Sequence, residues 1–187
     1  MDAYDIFLFL HVSSAIIWLG AGFVLQVQSI RAAGAADQQT LIRAVDESSS
    51  LAGILFIPAS FSVLVFGLLM VFFGPWSFGQ LWIDLGLIGY AASAALGLLG
   101  IKPISEKFMA LVKRDGVGGE ALALGRRIFV ISRIELVILL LVVANMVLKP
   151  GFDSVATLAA MVAALVGGVA VILATARTPS VDAVPAE

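Results

Sequence analysis

Apolar residues run along this chain in five long blocks, at roughly 5–28, 51–73, 82–101, 128–148 and 154–176, and polar residues collect between them. Each block is close to the ~20 residues that an α-helix needs to cross the hydrocarbon core of a bilayer. None alternates with the two-residue period of a lipid-facing barrel strand. The expected fold class is all-α, a polytopic membrane helical bundle with five transmembrane helices. Residues 1–176 form one transmembrane domain in this reading, and 177–187 a short tail. The connections are a polar stretch at 29–50, a short turn at 74–81, a basic segment at 102–127 and a tight turn at 149–153. Residues 105–113 read as a short interfacial helix ahead of a turn at Gly116–Gly119.

Lysine and arginine are unevenly shared between the two ends. Arg31, Arg43, Lys102, Lys107, Lys113, Arg114, Arg126, Arg127 and Arg177 fall at one end, while the other has Lys149 and an acidic start at Asp2 and Asp5. By the positive-inside rule the N-terminus faces outside and the C-terminus the cytoplasm, as an odd number of spans requires. The run Ala32-Ala33-Gly34-Ala35-Ala36 resembles a signal-peptide cleavage site, but the acidic start and the long apolar run favour retention of the first span.

Composition sharpens the chemistry. The chain has 187 residues, of which 61% are hydrophobic and 13% charged. Its mean hydropathy is +1.09. A soluble domain is about 45–50% apolar and about 25% charged, so the solvent is the bilayer. There is no cysteine and one histidine, His11. Disulfides, iron–sulfur clusters, thiolate-bound metals and covalent haem attachment are excluded, as is a site needing two histidines of one chain. The net charge of −2 argues against nucleic acid. The Gly-rich run at 116–119 lacks the Gly-Lys-Ser/Thr ending of a phosphate loop.

Two kinds of internal feature stand out. The first is structural. Gly89, Ser93 and Gly97 make a small-residue groove on the third span. Ala156, Ala160, Ala164 and Gly168, with Ala159, Ala163 and Gly167, offer packing faces on the fifth, toward this chain or a second one. Pro58 should kink the second span, with Ser60 and Ser62 beside it to satisfy freed backbone groups. The second feature is polarity at membrane depth, which is costly and usually faces the bundle interior. His11 lies six residues into the first span, with Ala15, Trp18 and Gly22 on its face. The ring either bonds, neutral, to a neighbouring carbonyl or serves as a ligand or proton-handling group, and Asp84, at a similar depth, is a candidate partner for it. Arg133 and Glu135 point to nearly opposite sides of the fourth span, and Arg133 can snorkel. Ser132, Glu135, Val142 and Asn145 share a stripe directed inward, where Gln26 and Gln28 of the first span can meet it. Met146 and Met70 lie level with His11, and a His/Met pair is able to hold haem iron between helices.

Three stretches taken in order, His11-Val-Ser-Ser-Ala-Ile-Ile-Trp18-Leu-Gly-Ala-Gly22, Trp76-Ser-Phe with Trp82-Ile, and Asn145-Met-Val-Leu-Lys149-Pro150, resemble the DUF2269 family of predicted bacterial integral membrane proteins. The resemblance runs from about residue 4 to Pro150. The first motif is also similar to that of copper-resistance membrane proteins and of HemJ-type protoporphyrinogen oxidases, which are haem-linked. In the oxidases the motif histidine and a lysine opening the third span are the important residues. His11 matches the histidine, whereas Asp84 stands where the lysine is expected. One histidine and five methionines are a thin ligand set for copper.

The resemblance and the residues together imply a multi-pass protein of the bacterial inner (plasma) membrane. The most specific expectation is a haem-binding or redox-associated protein, with haem b near the outer face on His11 and Met146. The alternatives are an accessory subunit docking on a membrane partner or a second copy through its small-residue faces, and a small-solute or proton transporter using Glu135 and His11.

Overall fold

A computed structural model describes residues 2–33, 38–116 and 118–177. The helices in chain order are α1 (Ala3–Ala33), α2 (Gln38–Leu51), α3 (Ile57–Phe73), α4 (Leu81–Ala95), α5 (Lys102–Asp115), α6 (Gly119–Leu148) and α7 (Val155–Arg177). A π-helical turn at Ala52–Phe56 joins α2 to α3, and another at Leu96–Ile101 joins α4 to α5. Five helical rods result, each long and apolar enough to cross a membrane: Ala3–Arg31, Val45–Phe73, Leu81–Asp115, Gly119–Leu148 and Val155–Ala176. The protein is an all-α, five-span membrane bundle.

The rods overrun the apolar blocks at the basic end. Most of the polar stretch at 29–50, read as a connection, is helical: α1 continues to Ala33 and α2 begins at Gln38. The helix expected at 105–113 exists as part of α5, but it is not laid flat on an interface. It prolongs α4 through the π-turn, and its Phe108 is fully buried among Val45, Ala121, Leu124, Ile128 and Phe129. This second, water-side core explains how polar α2 and α5 hold their places.

Both π-turns are followed by proline at the start of the next helix, Pro58 and Pro103. Proline supplies no backbone N–H, so an α-helical ladder would lose one bond there. The preceding residue instead reaches five residues back: Ile57 N–H bonds to the Ala52 carbonyl and Lys102 N–H to the Gly97 carbonyl. The expected kink at Pro58 therefore takes the form of a local widening. Ser60 and Ser62 bond to the carbonyls of Ile57 and Pro58, three and four residues back, and not to the carbonyl of Ile54 that proline leaves without its helical donor.

α1 packs on α3 and on α6, α4 packs on α6, and α7 lies against α6 at the rim. α3 and α4, consecutive in the chain, make little close backbone contact, and residues of both line two cavities. The groove on α4 is used on its α6 side. A Cβ at Gly86 would strike the Met146 methyl, and one at Gly89 would come within 2.5 Å of Val142 Cγ2. Ser93, one turn further on, bonds to Glu135 at 2.8 Å. On α7 the alanine rows mostly face away from the bundle. The partly covered residues are Thr157, Leu158, Met161, Leu165, Gly168, Val169 and Ile172, with Gly168 set against Val137.

Replacing Gly89 by leucine should therefore cost about 1–3 kcal/mol through overpacking against Val142. Gly20→Leu meets nothing within 4 Å and should leave the midpoint nearly unchanged. Thermal unfolding in detergent compares the two.

Candidate functional site

His11 lies in the third turn of α1, and its imidazole is directed at α3. Nδ1 donates to the Val63 carbonyl at 2.9 Å. That approach needs Gly67: a Cβ there would stand 3.1 Å from His11 Cε1 and 3.2 Å from Nδ1. The donation fixes the proton on Nδ1, leaving Nε2 as the ring's acceptor or ligand atom. Asp84, the partner considered from sequence, does not bond to His11. It sits in the first turn of α4, a favourable place for a carboxylate beside the helix dipole, with no side-chain partner among the described residues.

A cavity of about 340 Å³ opens beside the imidazole, walled by α1, α3, α4 and α6. His11, Met70 and Met146 all line it, so the structure brings together the three residues that sequence set at one level. The remaining wall is almost wholly apolar, with Trp76 and Trp82 toward the end of the bundle. The methionines' packing differs in character: Met146 is seated over Gly86, where no larger residue would leave room for its methyl.

That end is closed by an aromatic cluster which sequence reasoning did not assemble. Trp76 Nε1 donates to the Tyr4 hydroxyl at 2.9 Å. Trp76 and Trp82 stand edge to face, centroids 5.1 Å apart. Lys149 Nζ lies 4.1 Å from the Trp76 centroid and 5.3 Å from that of Trp82. Lys149 reaches them because it ends α6 in a left-handed turn, φ 45°, while its N–H bonds to the Asn145 carbonyl. Asn145 is buried, and its Nδ2 donates to the Trp82 carbonyl. The conjunction of Trp76, Trp82, Asn145 and Lys149 in the sequence motifs was the available signal.

A second cavity, about 470 Å³, occupies the basic half of the same cleft. Trp18, Tyr90 and Leu139 line both cavities and form the waist between them. Glu135 and Ser132 line the basic one together with Gln26, while Asn145 lies at the other end of the α6 stripe. Gln28 is engaged elsewhere, accepting from Ser48 at 3.1 Å. Arg133 is partly covered and is not paired with Glu135. The ion pairs among the described residues are Lys107–Glu120 and Arg114–Asp115, both exposed. No group of three or more His, Asp or Glu side chains comes together among the described residues.

Comparison with known proteins gives one assignment. The family model described as "Predicted integral membrane protein (DUF2269)" matches residues 5–150, and the chain belongs to that family. No curated protein matches. No solved structure matches either.

Removing the Asn145 amide takes away the buried side-chain hydrogen bond that ties α6 to the Trp82 carbonyl of α4. Asn145→Leu should lower stability by about 1–3 kcal/mol and shift the tryptophan emission, read by thermal unfolding and fluorescence.

Proposed function

We propose that this DUF2269 protein binds haem in the cavity beside His11, as a haem-holding, redox-associated protein of a bacterial cytoplasmic membrane. The observation that carries the reading is the state of His11. Its Nδ1 is spent on a backbone carbonyl and Nε2 is left over beside an apolar cavity, the arrangement by which proteins orient metal-binding imidazoles. Met146 or Met70 supplies a soft second ligand from the same wall. The cavity falls within the ~300–1,000 Å³ of small-molecule sites and has the apolar lining they favour. Lys149, held over the tryptophans at its end, provides a positive charge for carboxylates. Bound haem would supply one-electron chemistry. The chain's own part is to fix the imidazole tautomer, exclude water and set the polarity around the iron.

The N-terminus lies outside and the C-terminus in the cytoplasm in this reading, which places the His11 cavity near the outer face. Its support is the charge asymmetry, since Arg31, Arg43 and the lysines and arginines of α5 and the start of α6 gather at the opposite end. A second reading, an accessory subunit of a larger membrane complex, draws on the alanine rows of α7 that face away from the bundle.

The haem reading predicts a Soret band in protein purified from haem-replete membranes. His11→Ala should abolish it, Gly67→Ala should weaken it by displacing the ring, and Met146→Leu should change the reduced-minus-oxidised spectrum. A folded, haem-replete preparation without that band would sink the proposal. Because the chain has no cysteine, single-cysteine variants test orientation cleanly: Ser77→Cys should react with an impermeant maleimide on intact cells, and Gly116→Cys only after permeabilisation.

A further inference from the structure

The basic-side cavity is the larger of the two, and the haem reading makes no use of it. Its wall combines three features that rarely coincide by packing alone. The first is an aromatic frame at the waist. Trp18 lies 5.9 Å from Phe56 and 5.7 Å from Tyr90, centroid to centroid, in inclined arrangements. The second is buried polarity left without partners. Gln26 is 7% exposed, lines the cavity, and its side-chain amide has no hydrogen-bond partner among the described residues. Glu135 is equally buried; Oε1 accepts from Ser93, and Oε2 has no partner among the described residues. Trp18 Nε1, at the waist, is buried and unpartnered as well. Trp18 Nε1 is fully enclosed, whereas the Gln26 amide and Glu135 Oε2 belong to side chains that line the cavity, where an occupant with hydrogen-bonding oxygens would satisfy them.

The third feature is the way in. α3 and α4 make little close backbone contact, and the cavity's wall on that side includes Ile57, Phe61 and Leu98, which are 56%, 63% and 60% exposed. In a membrane-spanning bundle those side chains face acyl chains. The cavity therefore opens sideways to lipid, as well as toward Lys102 and Glu106 at the basic end.

We propose that this cavity binds the ring of a lipid-soluble quinone or quinol. The flat ring stacks within the frame of Trp18, Phe56 and Tyr90, a quinone carbonyl accepts from the Gln26 amide, and a quinol hydroxyl donates to Glu135 Oε2. Its isoprenoid tail leaves through the gap between α3 and α4. An ordinary phospholipid fits less well: its acyl chain gives Gln26 and Glu135 nothing to bond, and its headgroup stays at the surface. The proposal concerns binding, and it stands whether or not haem occupies the other cavity.

The test is photolabelling of the full-length protein in nanodiscs with an azido-benzoquinone, with and without excess decylubiquinone, followed by peptide mapping. Competable label is expected on 52–61 and 90–101. Gln26→Leu and Glu135→Leu should each weaken competition at least tenfold, and Glu135→Gln, which keeps both a donor and an acceptor, should largely retain it. Circular dichroism and thermal unfolding identify variants that remain folded. If Glu135→Leu proves unstable, Gln26→Leu carries the comparison. Label that decylubiquinone does not displace, label confined to α7 and the other lipid-facing surfaces, or equal competition in wild type and a folded Gln26→Leu protein would each overturn the proposal.

Discussion

The close approach of α4 to α6 governs the layout of this bundle. Helices in lipid gain little from hiding apolar surface, because the lipid is equally apolar, so they associate where backbones come near and polar groups find partners. Gly86 and Gly89 give α4 that proximity against Met146 and Val142, and Ser93 adds a hydrogen bond to Glu135 a turn later. α1 makes the equivalent choice toward α3, where Gly67 admits the His11 ring to the Val63 carbonyl. With α4 committed to α6 and α3 to α1, the pair α3/α4 is left with little close backbone contact. The cleft and both its cavities follow from which glycines face which helix.

The π-turns belong to the same economy. A proline inside a span leaves a carbonyl without its usual donor, in a medium with no water to replace it. Shifting to a five-residue reach at Ala52–Phe56 and Leu96–Ile101 spreads that deficit over a turn and widens the helix. Both turns border the larger cavity, through Ala52, Gly53 and Phe56 on one side and Gly97, Leu98 and Ile101 on the other. The irregular backbone thus lies where the helices are already separated, and in α3 it sets Phe56 against Trp18.

Hydropathy made the five spans legible because each block is long, apolar and bounded by charge. It could not reveal α2, whose residues Gln38, Gln39, Arg43, Asp46 and Glu47 look like a loop. The helix is held by Val45, which meets Phe108 more than sixty positions later, a contact that no local pattern encodes. The alanine rows of α7 are mostly not the face it turns to α6, for a related reason. Small residues permit close approach without compelling it, and Leu158, Met161 and Leu165 offer more area to α6. Helical rise put His11, Met70 and Met146 at one level, and all three line one cavity. A backbone carbonyl was among the partners the sequence offered His11, but which carbonyl was not deducible, because backbone carbonyls are present opposite every position.

That partner changes the meaning of a solitary histidine. Had the ring paired with Asp84, it would have been tied to a carboxylate, and its charge would have been part of its role. Donation to a carbonyl makes Nδ1 purely a donor and leaves Nε2 as the ring's acceptor nitrogen. The apolar wall acts in the same direction, since a cation there would lose its hydration and gain no counter-charge. Glu135 shows the complementary arrangement: one oxygen is anchored by Ser93, and the side chain lines a cavity of mixed polarity that Gln26 also lines. A single cleft therefore holds one cavity with an almost wholly apolar wall and another of mixed polarity. Trp18 and Tyr90 separate the two and touch both. The division arises from side chains of three helices, α1, α4 and α6, so neither cavity can be reshaped at its waist without the other being affected.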